Sequence, residues 1–145
     1  MSRRVLFYVQ HLLGIGHLIR AATLARAMAD EGLAVTLVSG GENVPVLDTA
    51  GVDFVQLPPV RAADRYFHGL VDESGRPVDQ AYLDRRRDFL LACCDEIGPQ
   101  IVVTEMFPFG RRMLKDEFLA LIEAGKAGGS KIVCSVRDIL VEKDR

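Results

Sequence analysis

The 145-residue chain carries 18 Lys and Arg against 20 Asp and Glu, a net charge of -2, with hydrophobic residues at 49% and charged residues at 26%. That length suits one domain with a sizeable core, and the near-balanced charge argues against a dedicated nucleic-acid binder. No apolar run approaches the roughly 18 residues that span a bilayer, and "VLFYV" after "MSRR" is too short for a signal-peptide core. Adjacent Cys93 and Cys94 do not match a metal spacing, and with Cys134 the odd count argues against a disulfide framework. They read as reduced, buried packing thiols, in keeping with a bacterial cytoplasm.

Val5–Val9 is continuously apolar, as in a strand buried on both faces. Leu18–Glu31 repeats apolar residues at helical spacing (Leu18, Ala21, Ala22, Ala25, Met28, Ala29), and Gly32 is placed to end it. Ala34–Ser39 predicts a second strand, Val44–Ala50 a short helix closed by Gly51, and Asp53–Leu57 a third strand stopped by Pro58 and Pro59. The long polar stretch Val60–Pro77 has no regular pattern, so it is expected to be a functional or weakly ordered loop. Val78–Ile97 predicts a helix with Asp79 as a candidate cap, and its Arg85-Arg86-Arg87 run is read as a solvated face. A fourth strand over Ile101–Thr104, a helix over Arg111–Ala127 and a fifth strand over Lys131–Val136 follow. No internal repeat is found.

Strict strand–helix alternation implies an α/β fold, a Rossmann-like doubly wound parallel sheet of about five strands, in the order 3-2-1-4-5. Ligands of such sheets bind beyond the carboxyl ends of the strands. His17, Glu105, Arg111, Arg137 and Asp138 all map to that edge, so the loops after strands one, four and five are expected to face one crevice. Arg20, placed in the first turn of the first helix, and Arg111-Arg112, opening the fourth, stand where the helix macrodipole disfavours a cation. A bound anion at the helix amides would explain them.

The turn "GIGH" provides Gly14 and Gly16 but has Ile19 where a dinucleotide fingerprint needs a third glycine, and no acidic residue directly ends strand two. A glycine turn that brings backbone amides and His17 close to a ligand is the simpler reading. The positive helix end would favour the neutral imidazole that a general base requires. No ligand spacing for a metal is present.

The stretch "GIGHLIRAATLARAMADEGLAVTLVSGG" resembles the N-terminal domain of GT-B glycosyltransferases, in which a Gly-x-Gly-His turn follows strand one. With "VLFYVQHLLGIGH", "TEMFPFGRRML" and "SVRDILVEK", the chain resembles a group of predicted bacterial glycosyltransferases related to the lipid-intermediate N-acetylglucosaminyl transferase of peptidoglycan synthesis. The resemblance implies a hexosyltransferase that moves a sugar from a nucleotide-sugar donor, UDP-linked by analogy, to an acceptor hydroxyl, without a metal or other cofactor. It implies that this chain is the acceptor-side N-terminal domain. A C-terminal domain, absent from the chain, would hold most of the donor, and the isolated domain would not turn over.

By the same resemblance Gly14, Gly16 and His17 form the acceptor-side loop, with His17 a base or an acceptor-phosphate ligand. The resemblance does not assign Arg20, and Glu105, Arg111, Arg137 and Asp138 match the predicted group only, without roles; from their place at the strand edge Glu105 and Asp138 are rival bases, and Arg20, Arg111 and Arg137 are candidate substrate-binding residues. Peripheral membrane contact stays open, and nothing in the sequence speaks to oligomeric state. The alternatives are a nucleotide-dependent oxidoreductase or epimerase domain, for which tight NAD binding would speak, and a non-catalytic α/β binding module. A receiver domain is disfavoured, since no acidic cluster follows strand one.

Overall fold

The computed structural model describes residues 2–66, 68–108 and 112–136, with the side chain of Arg112 excepted. Arg111, Arg137 and Asp138, three of the candidate site residues, lie outside the described residues. In chain order the elements are β1 (Arg4–Val9), α1 (Gly16–Asp30), β2 (Ala34–Ser39), β3 (Asp53–Gln56), β4 (Arg61–Ala62), β5 (Leu70–Val71), α2 (Gln80–Ile97), β6 (Ile101–Glu105), a 3-10 turn (Arg112–Leu114), α3 (Lys115–Ala127) and β7 (Lys131–Ser135). The main sheet has five strands, all parallel, in the order β3-β2-β1-β6-β7. That is the doubly wound order expected from the alternation.

Strand β1 lies at the centre of the sheet, which explains its unbroken apolar run. Val5, Phe7 and Val9 pack on one face with Leu18, Ala21, Ala22 and Ala25 of α1. Leu6 and Tyr8 pack on the other face with Leu90 of α2 and Phe118 and Leu121 of α3. The small residues of α1 let that helix lie close to the strands. Period-2 alternation on β1 therefore sorts its side chains between two helical layers. The same alternation on β6 sends Val102 toward α2 and α3 and Val103 toward α1.

Helix ends follow local chemistry. Gly32, in the left-handed region at φ 93°, follows α1. Asp79 caps α2 by accepting from the Tyr82 amide at 2.8 Å, and Gly98 ends that helix at φ 55°.

Three expectations are corrected. Val44–Ala50 forms turns, closed by Leu47 N donating to Val44 O at 3.1 Å and Val52 N to Thr49 O at 3.0 Å. Asp48 takes the Ala50 amide and the Arg26 guanidinium, so a local bond competes with a helix; Val44 and Leu47 still pack against the core, while Val46 is left exposed. The polar stretch after β3 holds a two-stranded antiparallel hairpin, β4–β5. Its first strand hangs from the β1–α1 loop, with Ala62 N donating to Leu12 O at 2.8 Å. The last helix begins only at Lys115, because Leu114 (φ -114°, ψ 25°) departs from helical geometry.

Candidate active site

Glu105 ends β6 and Ser135 ends β7, and the parallel register sets them side by side. Glu105 has the same parity on its strand as Val103, so it points toward the α1 face. Two residues of α1 reach it. Arg20 Nη1 donates to both carboxylate oxygens at 3.0 and 2.9 Å and to Ser135 Oγ at 2.8 Å, while Nη2 donates to the Val136 carbonyl at 3.0 Å. His17 Nδ1 lies 3.3 Å from Glu105 Oε1.

Helical spacing brings this about. Leu18, Ala21, Ala22 and Ala25 face the sheet, and His17 and Arg20 flank that stripe on the side toward β6 and β7. Immediately after Glu105 the chain turns through Met106, a non-glycine residue at φ 65°, whose amide donates to Ser135 O at 2.8 Å. The β6 and β7 ends are thus tied together beside the cluster.

Burial decides the chemistry available to each group. The Glu105 side chain is 0% exposed, against 20% for His17 and 29% for Arg20. This buried carboxyl group meets the Arg20 guanidinium through both of its oxygens. In the tautomer that carries its proton on Nδ1, His17 can donate to Glu105 Oε1 across the 3.3 Å contact. In that tautomer one ring nitrogen is anchored by Glu105.

The site thus brings together His17, Arg20 and Glu105 of the sequence-predicted residues. Gly14 and Gly16 lie in the adjoining loop and at the helix start. A Cβ at either would meet nothing within 4 Å, and neither has a positive φ. The chain itself therefore does not require glycine at these two positions. The explanation offered for the arginines changes. Helix α1 starts at Gly16 with Ile15 as its cap, so Arg20 is in the second turn, and the anion it answers is the chain's own Glu105. Arg112 belongs to the 3-10 turn ahead of α3, not to the helix.

Of the other histidines, His11 is buried and lies close against Gly41, while His68 is exposed beside Asp64. The three cysteines are free, and burial pushes each thiol up, away from the thiolate form. Cys94 is buried, whereas Cys93 and Cys134 are only partly so. Among the described residues no three His, Cys, Asp or Glu side chains gather as a metal-binding group, and no helix is long and apolar enough to cross a membrane.

Sequence reasoning missed Ser135, and it misread Arg86, which is wholly buried rather than solvated. A signal for Arg86 existed. Leu83, Arg86, Leu90 and Cys94 fall on one helical face, so an arginine occupies a place in an apolar stripe.

The sequence matches no protein-family model and no curated protein. Solved structures share its fold. SsfS6, a glycosyltransferase of Streptomyces sp. SF2575, superposes with a TM-score of 0.58 at 17% identity over 93% of this chain and 39% of its own. UGT2 of Phytolacca americana, complexed with UDP-2-fluoro-glucose and pterostilbene, gives 0.59 at 12% identity over 93% of this chain and 30% of its own. The C-terminal domain of the PF1911 hydrogenase of Pyrococcus furiosus gives 0.55 at 13% identity, over 91% and 89%. The chain therefore has a Rossmann-like α/β fold of the kind that makes up half of a GT-B enzyme, and it spans only 30% to 39% of the length of the two transferases. Because a hydrogenase domain shares the architecture, the fold does not by itself select an activity.

Proposed function

We propose that this chain is the acceptor-side domain of a GT-B glycosyltransferase and that His17 is the base that activates the acceptor hydroxyl. The observation that carries the reading is the His17–Glu105 contact of 3.3 Å at the carboxyl edge of β6, with Glu105 itself neutralised by Arg20. A base needs a partly reachable imidazole held by a partner, and His17 is 20% exposed and in contact with Glu105. Glu105, fully buried and already bonded to two side chains, serves better as the group that orients His17 than as a base in its own right.

The acceptor oxygen would lose its proton to Nε2 while attacking the anomeric carbon of the sugar. The nucleoside diphosphate would depart with the bonding electron pair. SsfS6 has been solved with thymidine diphosphate and UGT2 with a UDP-sugar, which supports a nucleoside-diphosphate sugar as donor class. A hexose donor, and kinship with the lipid-intermediate transferases of peptidoglycan synthesis, are parts of the same proposal. Most donor contacts would come from a second domain.

The test is transfer from a panel of UDP- and dTDP-sugars by the protein carrying both domains, with donor titration calorimetry in parallel. His17→Ala is expected to lower turnover by roughly 10²–10⁴-fold and to leave donor affinity nearly unchanged. Near-normal transfer by that variant would remove His17 from the chemistry. Transfer by the 145-residue chain alone would overturn the half-enzyme reading. Tight NAD binding would point to an oxidoreductase instead.

A further inference from the structure

On the opposite face of the sheet from His17, a guanidinium is enclosed in the core. The Arg86 side chain is 0% exposed. Its Nε donates to Glu117 Oε1 at 3.2 Å. Nη1 donates to the carbonyls of Gly40, at 2.8 Å, and Pro58. Nη2 donates to Gln10 Oε1 at 2.8 Å and lies within 3.3 Å of Tyr8 Oη and 3.2 Å of Glu117 Oε2. Glu117 also accepts from Tyr8 Oη at 2.6 Å. All five N–H donors of the guanidinium have acceptors, a geometry that the three donors of a lysine ammonium do not reproduce.

The destinations of these bonds matter more than their number. Gly40 follows β2, Pro58 follows β3 and Gln10 follows β1. Gln10 passes the connection on, its Nε2 donating to His11 O at 2.8 Å and Val60 O at 3.0 Å. Val60 N donates to Gly40 O at 3.1 Å, and Ala62 N to Leu12 O at 2.8 Å. The segment leading to His17 is therefore held at His11 and Leu12 by groups that converge on one side chain. The close fit leaves no space at the next position either: a Cβ on Gly40 would collide with Gln10 Oε1 and Arg86 Nη2.

We propose that Arg86 is a positioning residue for the candidate site: from inside the core it sets the three carboxyl-edge loops, those after β1, β2 and β3, and with them the segment that carries His17. An apolar pair of similar volume would fill the space without the cost of burying two charges. What an apolar pair lacks is five directed donors aimed at separate loops. The catalytic consequence rests on His17 being the base, whereas the placement of the loops does not.

The test uses the 145-residue chain with Arg86→Met and Glu117→Gln combined, which removes both buried charges and leaves Tyr8 an acceptor. Hydrogen exchange is expected to quicken about tenfold or more in residues 10–16 and 40–44 while β1 and β6 stay protected. The ring resonances of His17 in NMR spectra, assigned with His17→Gln, are expected to move, a signature that a purely structural role would leave in place. A folded double variant with unchanged loop exchange and unchanged His17 resonances would overturn the proposal. If the double variant fails to fold, Gln10→Met decides. It leaves the Arg86–Glu117 pair intact and releases His11 O and Val60 O, so exchange should quicken in 11–16 and 58–62 but not in 40–44. Unchanged exchange there would equally overturn it. Normal transfer by His17→Ala alongside loosened loops would sink the base assignment and leave the role of Arg86 standing.

Discussion

The sheet carries an arginine–carboxylate cluster on each face, and the two have opposite characters. On the α1 face, Arg20 and Glu105 are joined by His17, and both the arginine and the imidazole keep part of their surface in solvent. On the α2–α3 face, Arg86 and Glu117 are joined by Tyr8, and every member is buried. Similar residue types thus serve different ends. On the function proposed above, the half-open cluster presents a nitrogen to an incoming hydroxyl. The enclosed one keeps only an edge of Glu117 in solvent, and the hydrogen bonds of Arg86 end on backbone carbonyls and neighbouring side chains. Access to solvent, more than residue type, separates a group that can do chemistry from one that can only hold others in place.

The comparison predicts unequal costs of breaking each cluster. Glu117→Leu leaves the Arg86 charge buried without its carboxylate and should cost about 3–5 kcal/mol of stability. Glu105→Gln leaves Arg20 with Ser135, the Val136 carbonyl and solvent, and should cost less, about 1.5–3 kcal/mol. Chemical denaturation of both variants checks the ranking, and equal losses would break the contrast drawn here.

Glycines beside the two clusters sharpen it. Gly40→Ala presses a methyl group into Gln10 and Arg86, for an expected loss of about 1–3 kcal/mol. Gly16→Ala meets open space at the first position of α1 and should change stability by no more than about 0.5 kcal/mol. If Gly16→Ala nevertheless weakens acceptor binding, a ligand rather than the chain requires that glycine. Thermal unfolding and binding measured on the same samples separate the two.

Within about one pH unit of its onset, a smaller effect than the loss of Glu117 is a pH limb that belongs to the enclosed cluster. Burial, and then the Glu117 carboxylate, push the Tyr8 hydroxyl well above its ordinary value near 10. For a group raised on folding, its stabilising contribution is complete below the unfolded value and is lost as pH climbs toward the folded one. Stability should therefore fall above about pH 10, by up to about 1.4 kcal/mol per pH unit from this group. Tyr82 is raised by burial and acts in the same direction. Subtracting the denaturation curve of Tyr8→Phe from that of the parent isolates Tyr8, and identical alkaline slopes would refute the assignment.

Much of this protein was legible in its sequence. The β–α alternation and the unbroken run Val5–Val9 specify a doubly wound parallel sheet, because right-handed crossovers leave few other arrangements. The cap at Asp79, the stop at Gly32, and the gathering of His17 and Glu105 at one edge follow from local backbone chemistry and from the rule for open sheets. The turns at 44–50 were not legible, since Val44–Ala50 followed by Gly51 reads as a short helix until Asp48 is seen to take a local partner.

Only the tertiary structure decided what each charge is for. Arg20 looked like a cation awaiting an external anion, and it meets Glu105 from 85 residues further along the chain. Arg86 looked like one of three solvated arginines, and it ties β1, α3 and two loops together from within the core. Periodicity reports which way a side chain points, because that depends on its near neighbours. Whether a charge is solvated, paired or enclosed depends on which distant elements fold onto it, and no local pattern carries that information.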